Sequence, residues 1–454
     1  MPEEVAIDSG NTAWVLAAAA LVLLMTPGLG FFYAGFTRSK NAVGTIMQSF
    51  IVVGLVGVEW VVIGYSMAFG PDVAGFIGDP SWFGLKDVGF EPAAYISDGQ
   101  ERTYGVGIPH EAFMIFQAMF AIITPALITG AFAERAKFST FLVFMLLWSL
   151  LVYNPVAHWV FANDGWLALV GGLGSMDFAG GTAIHINSGA AALAAAIIFG
   201  KRVGYGKEPM EPHNVTYIIL GAALLWFGWF GFNAGSAGAA NGQAANAFVV
   251  TNTAAATAAL TWMGMSWLLA GKPSAIGAAA GAVAGLVAIT PASGFVQPME
   301  AIAIGAGAGI FCYLAVRLRA RSGLDDSLDV VGVHGVGGTW GAFATGIFAV
   351  AAVGGVDGWI EGEADQMLRQ LAAIGAVWGY SFTVTIILLK VLDMTLGLRV
   401  TEEEERLGLD ITQHGERGYA FEETSLIAVT ATPMSTPVPP PPRGEAGTAT
   451  SSSA

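Results

Sequence analysis

Charge is what this chain has least of. Only 12% of its 454 residues are Asp, Glu, Lys or Arg, against about 25% in an ordinary soluble chain. The few charges stand in blocks between long apolar runs, which excludes a soluble globular domain and indicates a polytopic membrane protein. There is one cysteine, Cys312, and it lies in an apolar run, so no intrachain disulfide framework forms. No CxxC and no Cys/His cluster stands at metal-ligand spacing, so no zinc or iron–sulfur site is expected, and no cofactor. No Gly-x4-Gly-Lys loop is there to cradle a phosphate. A basic excess is missing too: the formal net charge is -15, which argues against nucleic acid as a partner. The start of the chain carries Glu3, Glu4 and Asp8 where a signal peptide would be basic, so the first apolar run is expected to stay as a membrane helix.

What is present is apolar sequence of helix length. It predicts an all-α membrane protein of eleven transmembrane helices at roughly 12–36, 42–70, 110–133, 139–161, 179–200, 215–236, 246–270, 275–292, 299–318, 328–351 and 366–394, each long enough to span with some tilt. Loops after odd-numbered helices hold Arg38 and Lys40, Arg135 and Lys137, Lys201, Arg202 and Lys207, Lys272, and Arg319 and Arg321. Loops on the other side hold only Lys86 and Arg102, which predicts the N-terminus outside and the C-terminus inside. The long connection at about 71–109, rich in Gly, Pro and Asp, reads as a solvated connector. The expected domains are a transmembrane unit over 1–394, with repeats at about 11–200 and 215–351 and the eleventh helix at about 366–394, a charged, helix-prone cytoplasmic tail over 395–425, and a Pro/Ser/Thr-rich disordered tail over 426–454. Glycine, at 61 residues, sits inside the helices beside alanine and serine, where small residues let membrane helices pack backbone to backbone.

Two histidines stand in the middle of these runs. His185 and His334 each have an aspartate eight residues upstream, Asp177 and Asp326, and the two Asp-x7-His runs are 149 residues apart (334 minus 185). A histidine costs free energy in hydrocarbon unless it lines a cavity or finds a partner. The repeat therefore suggests two related halves, each delivering one imidazole to a shared pathway. Paired neutral imidazoles in an apolar lumen can hydrogen-bond a small polar solute and resist a cation. The plainer alternative is two unrelated histidines satisfied by hydroxyls or carbonyls. A bis-histidine haem would need two histidines on one helix, a spacing absent here. The aspartates have two compatible readings: N-caps that accept backbone N–H groups, or, for Asp177, a carboxylate favouring a cation in a vestibule.

Further candidates are aromatic. Trp229, Phe232 and Ser236 close the sixth helix, and Phe116 and Phe120 lie one turn apart in the third. Such rings attract an ammonium-type cation by ~0.5–2 kcal/mol, although lipid packing is the usual role of aromatics in membrane helices. Glu59 lies within the second apolar run, either functional or a carboxyl hydrogen-bonded between helices.

Several segments resemble the ammonium transporter family (Amt/Mep/Rh), on its Amt branch: TPGLGFFYAGF at 26–36, GAFAERAKFS at 130–139, DFAGGTAIHIN at 177–187, WFGFNAGS at 229–236, DDSLDVVGVHGVGG at 325–338 and EEEERLGLDITQHGERGY at 402–419. The resemblance runs in order from about residue 10 to 420. It implies a plasma-membrane ammonium transporter rather than an enzyme, and a homotrimer with a pore in each subunit. It implies five helices related to five by an inverted pseudo-two-fold, with the eleventh outside. By motif position it implies a gate of Phe120 and Phe232 and an external ammonium site with Phe116, Phe120, Phe161 and Ser236. It further implies a lumen lined by His185, His334 and Trp229, a vestibule carboxylate at Asp177, and supporting carboxylates at Asp177 and Asp326. The tail around Gly408 and Asp410 resembles the segment that couples subunits and lies near the docking surface for PII-type signalling proteins. One departure stands out: the family usually has tryptophan where this chain has Phe161, which keeps the aromatic face and loses the N–H donor. Trp166, nearby in sequence, is the candidate for compensating. The expected mechanism is recruitment of ammonium outside, deprotonation, and passage of ammonia between the histidines. The alternatives are an ammonium sensor and an Rh-like gas channel.

Overall fold

Eleven apolar helical stretches follow one another along the described chain. They are α1 (Ser9–Phe36), α2 (Ser39–Phe69), α3 (His110–Ala131), α4 (Phe138–Phe161), α5 (Gly181–Phe199), α6 (Val215–Gly235), α7 (Gly242–Ala270), α8 (Ala275–Ile289), α9 (Pro298–Ser322), α10 (Val331–Gly335 continuing as Val336–Phe348) and α11 (Asp365–Thr395). Two short helices, α12 (Glu402–Leu407) and α13 (Leu409–His414), follow. This computed structural model describes residues 6–97, 100–105 and 107–419. The expected disordered tail at 426–454 and the last residues of the charged tail, 420–425, lie outside the described residues.

Among the described residues, eight helices are long and apolar enough to cross a membrane. The α8 helix has 15 residues, and α7 and α10 are diluted by Asn and Thr or by Gly. Helix starts follow local chemistry: the side chains of Asp8, Asn214, Asn241 and Ser274 each accept a backbone N–H of the first turn.

Glycine sets how closely the helices approach. A Cβ on Gly221 of α6 would collide with the backbone of Phe32 on α1, and one on Gly35 of α1 would collide with Asn214 and Ile218. The same device brings α5 and α10 together: a Cβ on Gly189 would run into the Gly335 backbone, and one on Gly338 would sit 3.0 Å from both the Gly181 carbonyl and the His185 Cβ.

The 70–109 connection is more than a solvated link. It holds two antiparallel hairpins, Asp72–Val73 with Ile77–Gly78 and Tyr95–Ser97 with Gln100–Arg102. It is pinned by aromatic rings: Trp82 stacks on Tyr65 at 5.5 Å and meets His110 at 4.6 Å, and Tyr104 stacks on Phe113 at 4.8 Å. The polar composition of the segment hid these anchors, Trp82 and Tyr104, both buried.

Candidate functional site

His185 and His334 lie in matching distortions of two helices. Residues Gly181–Ile186 and Val331–Gly335 are both π-helical turns, a local widening often found at functional positions. Each turn is started by the upstream aspartate. Asp177 accepts the backbone N–H groups of Gly180, Gly181, Thr182 and Ala183 at 2.7–3.1 Å. Asp326 accepts the N–H of Val331 at 2.8 Å. The carboxylates therefore act as N-caps, and Asp177 has both oxygens committed to backbone.

The histidines meet. Their Nδ1 atoms are 3.2 Å apart and the rings are 5.3 Å centre to centre, both side chains buried. Trp229 lies over His185 at 5.3 Å, nearly parallel, and its indole N–H donates to the Thr290 hydroxyl at 2.8 Å. The space between the rings is narrow, about 10 Å³, room for about one small solute. Its other walls include Leu29, Leu225 and Val283, and no carboxylate borders it.

Phe232 closes the lumen at one end, 5.9 Å from the His185 ring, and Phe120 packs on Phe232 at 4.5 Å. Phe116 meets Phe120 edge-on at 4.9 Å. Beyond these rings opens a cavity of about 370 Å³ bordered by Phe116, Gln117, Ser236 and Asn241. The Ser236 hydroxyl donates to the Phe232 carbonyl at 2.8 Å, which leaves its lone pairs for a cation.

At the opposite end the bundle carries buried charge. Arg202 donates to Asp325 through Nη2 at 2.8 Å and lies 3.5 Å from Glu134; Arg38 also pairs with Glu134, at 2.6 Å. Burial alone would raise the Asp325 carboxyl, but hydrogen bonds and charge from Arg202, with Arg135 beside it, hold it below the usual carboxylate range. The charged tail folds onto this end. Asp410 accepts the Gly44 N–H at 2.8 Å, Leu409 N–H donates to Asn41 at 2.8 Å, and Glu405 pairs with Arg399 at 2.8 Å. Gly408 turns between α12 and α13 with φ +110°.

The structure thus brings together His185, His334, Trp229, Phe232, Phe120, Phe116 and Ser236. It does not bring Phe161 or Trp166 to the cavity beside Ser236: Phe161 packs with the buried residues at the end of α4, and Trp166 lies 5.6 Å from Trp159. Glu59 accepts from Ser149 at 3.1 Å and Asn154 at 2.8 Å between α2 and α4. Sequence reasoning missed Thr290, whose partner is 61 residues away. It also missed Gln117, for which a polar residue beside Phe116 in an apolar helix was the available signal.

The sequence model described as Ammonium Transporter Family matches residues 13–419. The chain belongs to that family. It is 49% identical to the ammonium transporter of Bacillus subtilis over 416 residues, covering 91% of this chain and 99% of that one. It is 48% identical to ammonium transporter Amt1 of Archaeoglobus fulgidus over 413 residues, 91% of this chain and all of that one. Among solved structures, Candida albicans Mep2 is similar with a TM-score of 0.80 at 39% identity, covering 88% of each chain. A structure described as a sensor Amt protein matches with a TM-score of 0.80 at 30% identity, covering 89% of this chain and 98% of that one. Membership of the ammonium transporter family makes the chain a multi-pass membrane protein and gives the lumen a substrate class to be weighed against.

Proposed function

We propose that the chain transports ammonium across the plasma membrane through the paired-histidine lumen. Ammonium is recruited in the Ser236 cavity by the ring of Phe116 and the Ser236 lone pairs. Phe120 and Phe232 swing aside to admit it. The lumen beyond offers imidazole nitrogens and apolar walls, which suit neutral ammonia and penalise a bare cation. The ion gives its proton to water in the Ser236 cavity, ammonia passes the lumen, and the proton crosses separately so that net charge moves; potassium is rejected because it has no proton to lose. The single observation that carries this reading is the 3.2 Å Nδ1–Nδ1 contact of His185 and His334 in an otherwise apolar constriction.

The reading includes eleven spanning helices with the N-terminus outside, supported by the Lys/Arg bias of the loops. It includes an inverted five-plus-five repeat, supported by the matching Asp-capped π turns of α5 and α10. It also includes a homotrimer and a PII-type partner docking near Gly408 and Asp410, with the chain acting as a carrier of solute and not as an enzyme. A sensor is the second reading, prompted by the likeness to the sensor Amt structure. The higher identity to proteins named ammonium transporters, over 91% of this chain, favours transport. Solid-supported-membrane current from proteoliposomes tests the choice. A saturable current on adding ammonium is expected; an electroneutral pH change alone would indicate a gas channel, and no response of either kind a sensor.

A further inference from the structure

The outer surface of α9, α10 and α11 forms a groove of about 650 Å³ whose walls include Leu314, Leu318, Trp340, Phe343 and Trp378. Its polar groups are already used. The Thr339 hydroxyl donates to the Gly335 carbonyl at 2.7 Å and accepts the Trp378 indole N–H at 2.9 Å. The Trp340 N–H donates to the Ile304 carbonyl at 2.9 Å. A polar solute finds nothing to bind there, whereas Leu314 and Leu318 stand 45% and 69% exposed.

Beyond Leu318, the last α9 residue bordering the groove, the same helix face carries a positive charge. Leu314, Leu318 and Arg321 lie on one face of α9, a turn apart from each other in succession. The neighbouring arginines are occupied: Arg319 pairs with Asp329 at 2.7 Å, and Arg317 donates to the Tyr313 hydroxyl at 3.4 Å. Arg321 is exposed and is in no ion pair among the described residues.

We propose that this groove binds one anionic phospholipid, an acyl chain lying between Leu314, Phe343 and Trp378 and the headgroup phosphate at Arg321. The proposal rests on the reading that these helices span the bilayer with the Arg321 end in the cytoplasmic leaflet, where anionic lipids gather around basic residues. The groove also backs onto the transport site. Trp378 closes over Gly335, so that even a Cβ there would lie 3.2 Å from the ring, and Gly335 follows His334 in the π turn. A chain packed on Trp378 and Thr339 therefore braces the turn that holds His334.

Native mass spectrometry of the full-length protein, titrated with phosphatidylglycerol or phosphatidylcholine, tests this. Phosphatidylglycerol should bind about fivefold more tightly at one site per chain. Arg321→Gln should bring the two lipids level without lowering the melting temperature in lipid-free detergent, and Ala315→Trp should remove one bound lipid per chain. Equal affinities in the unaltered protein, or a preference that survives Arg321→Gln, would overturn the proposal. So would disulfide cross-linking of Leu314→Cys between copies, which would assign the face to a second copy of the chain. Both lipid and protein are free of orientation in this measurement, so a reversed topology leaves the result intact while a wrong groove abolishes it.

Discussion

The Nδ1 atoms of His185 and His334 face each other at 3.2 Å, so one must donate and the other accept. The donor ring then has a bare Nε2 and the acceptor ring carries its proton on Nε2. The pair presents one acceptor and one donor to whatever lies in the lumen, and the buried Nε2 of His185 has no protein partner. A neutral molecule that both donates and accepts is matched to such a pair; a cation is matched to neither wall nor donor.

Replacing both histidines with alanine should therefore abolish ammonium-selective flux. The loss should be roughly tenfold or more, since each lost hydrogen bond at a desolvated site is worth about 1–3 kcal/mol. Ammonium and potassium currents in proteoliposomes check it. Unchanged, ammonium-selective current in the His185→Ala, His334→Ala protein would sink the proposed mechanism.

Asp177 caps the turn that carries His185 with four backbone hydrogen bonds. Asp177→Ala should cost at least about 2 kcal/mol of stability. Flux should fall with it, while the apparent affinity for ammonium in the Ser236 cavity stays as it was. Thermal unfolding measured alongside KM separates this from a ligand role, which would raise KM without a stability loss.

How much of this was legible in the sequence depended on how local the cause was. The helices were readable because apolar length is a local property, and the tail helices because Thr401 and Glu404 form a capping box three residues apart. The histidine pair was readable only as a repeated spacing; the crossing that joins the rings depends on Gly189 and Gly335, which are indistinguishable in sequence from the other glycines. The 70–109 connection was misjudged because its aromatic anchors, Trp82 and Tyr104, are diluted by Gly, Pro and Asp. Thr290 was invisible because only the folded chain brings it to Trp229.

Asp325 gives the buried charge cluster a defined pH response. Its carboxyl is held below the usual range, so the stabilisation is fully present above about pH 3.9 and is lost as pH falls through the lowered native value. Melting temperature should be flat above pH 5 and drop only in stronger acid, and Asp325→Asn should remove that acid-dependent step. Removing the other partner, Arg202→Met, should destabilise the fold at neutral pH by about 3–5 kcal/mol.

Gly408 adopts φ +110° with its backbone against Lys40, where a Cβ would lie 2.6 Å from the Lys40 carbonyl oxygen. Gly408→Ala should release the tail from α2, at a strain of order 1–3 kcal/mol. Trypsin cleavage at Arg406 in native protein should accelerate. A cleavage rate equal to that of the unaltered protein would mean the tail tolerates the side chain.

Phe161 stands where the family resemblance leads one to expect tryptophan, and it packs at the end of α4 rather than on the Ser236 cavity. Trp166 is no substitute, since it packs at a tilt beside Trp159 instead. In the proposed mechanism, recruitment outside the gate then rests on Phe116 and Ser236, with one ring fewer for the cation. Phe161→Trp adds a larger ring and an N–H at the end of α4. If that ring reaches the cation, the gain is ~0.5–2 kcal/mol, and half-saturation of the ammonium current should fall by between about twofold and thirtyfold. Maximal current should hardly change, because the histidine lumen is untouched. An unaltered half-saturation would mean that position 161 serves helix packing alone, and that Phe116 and Ser236 recruit ammonium without it.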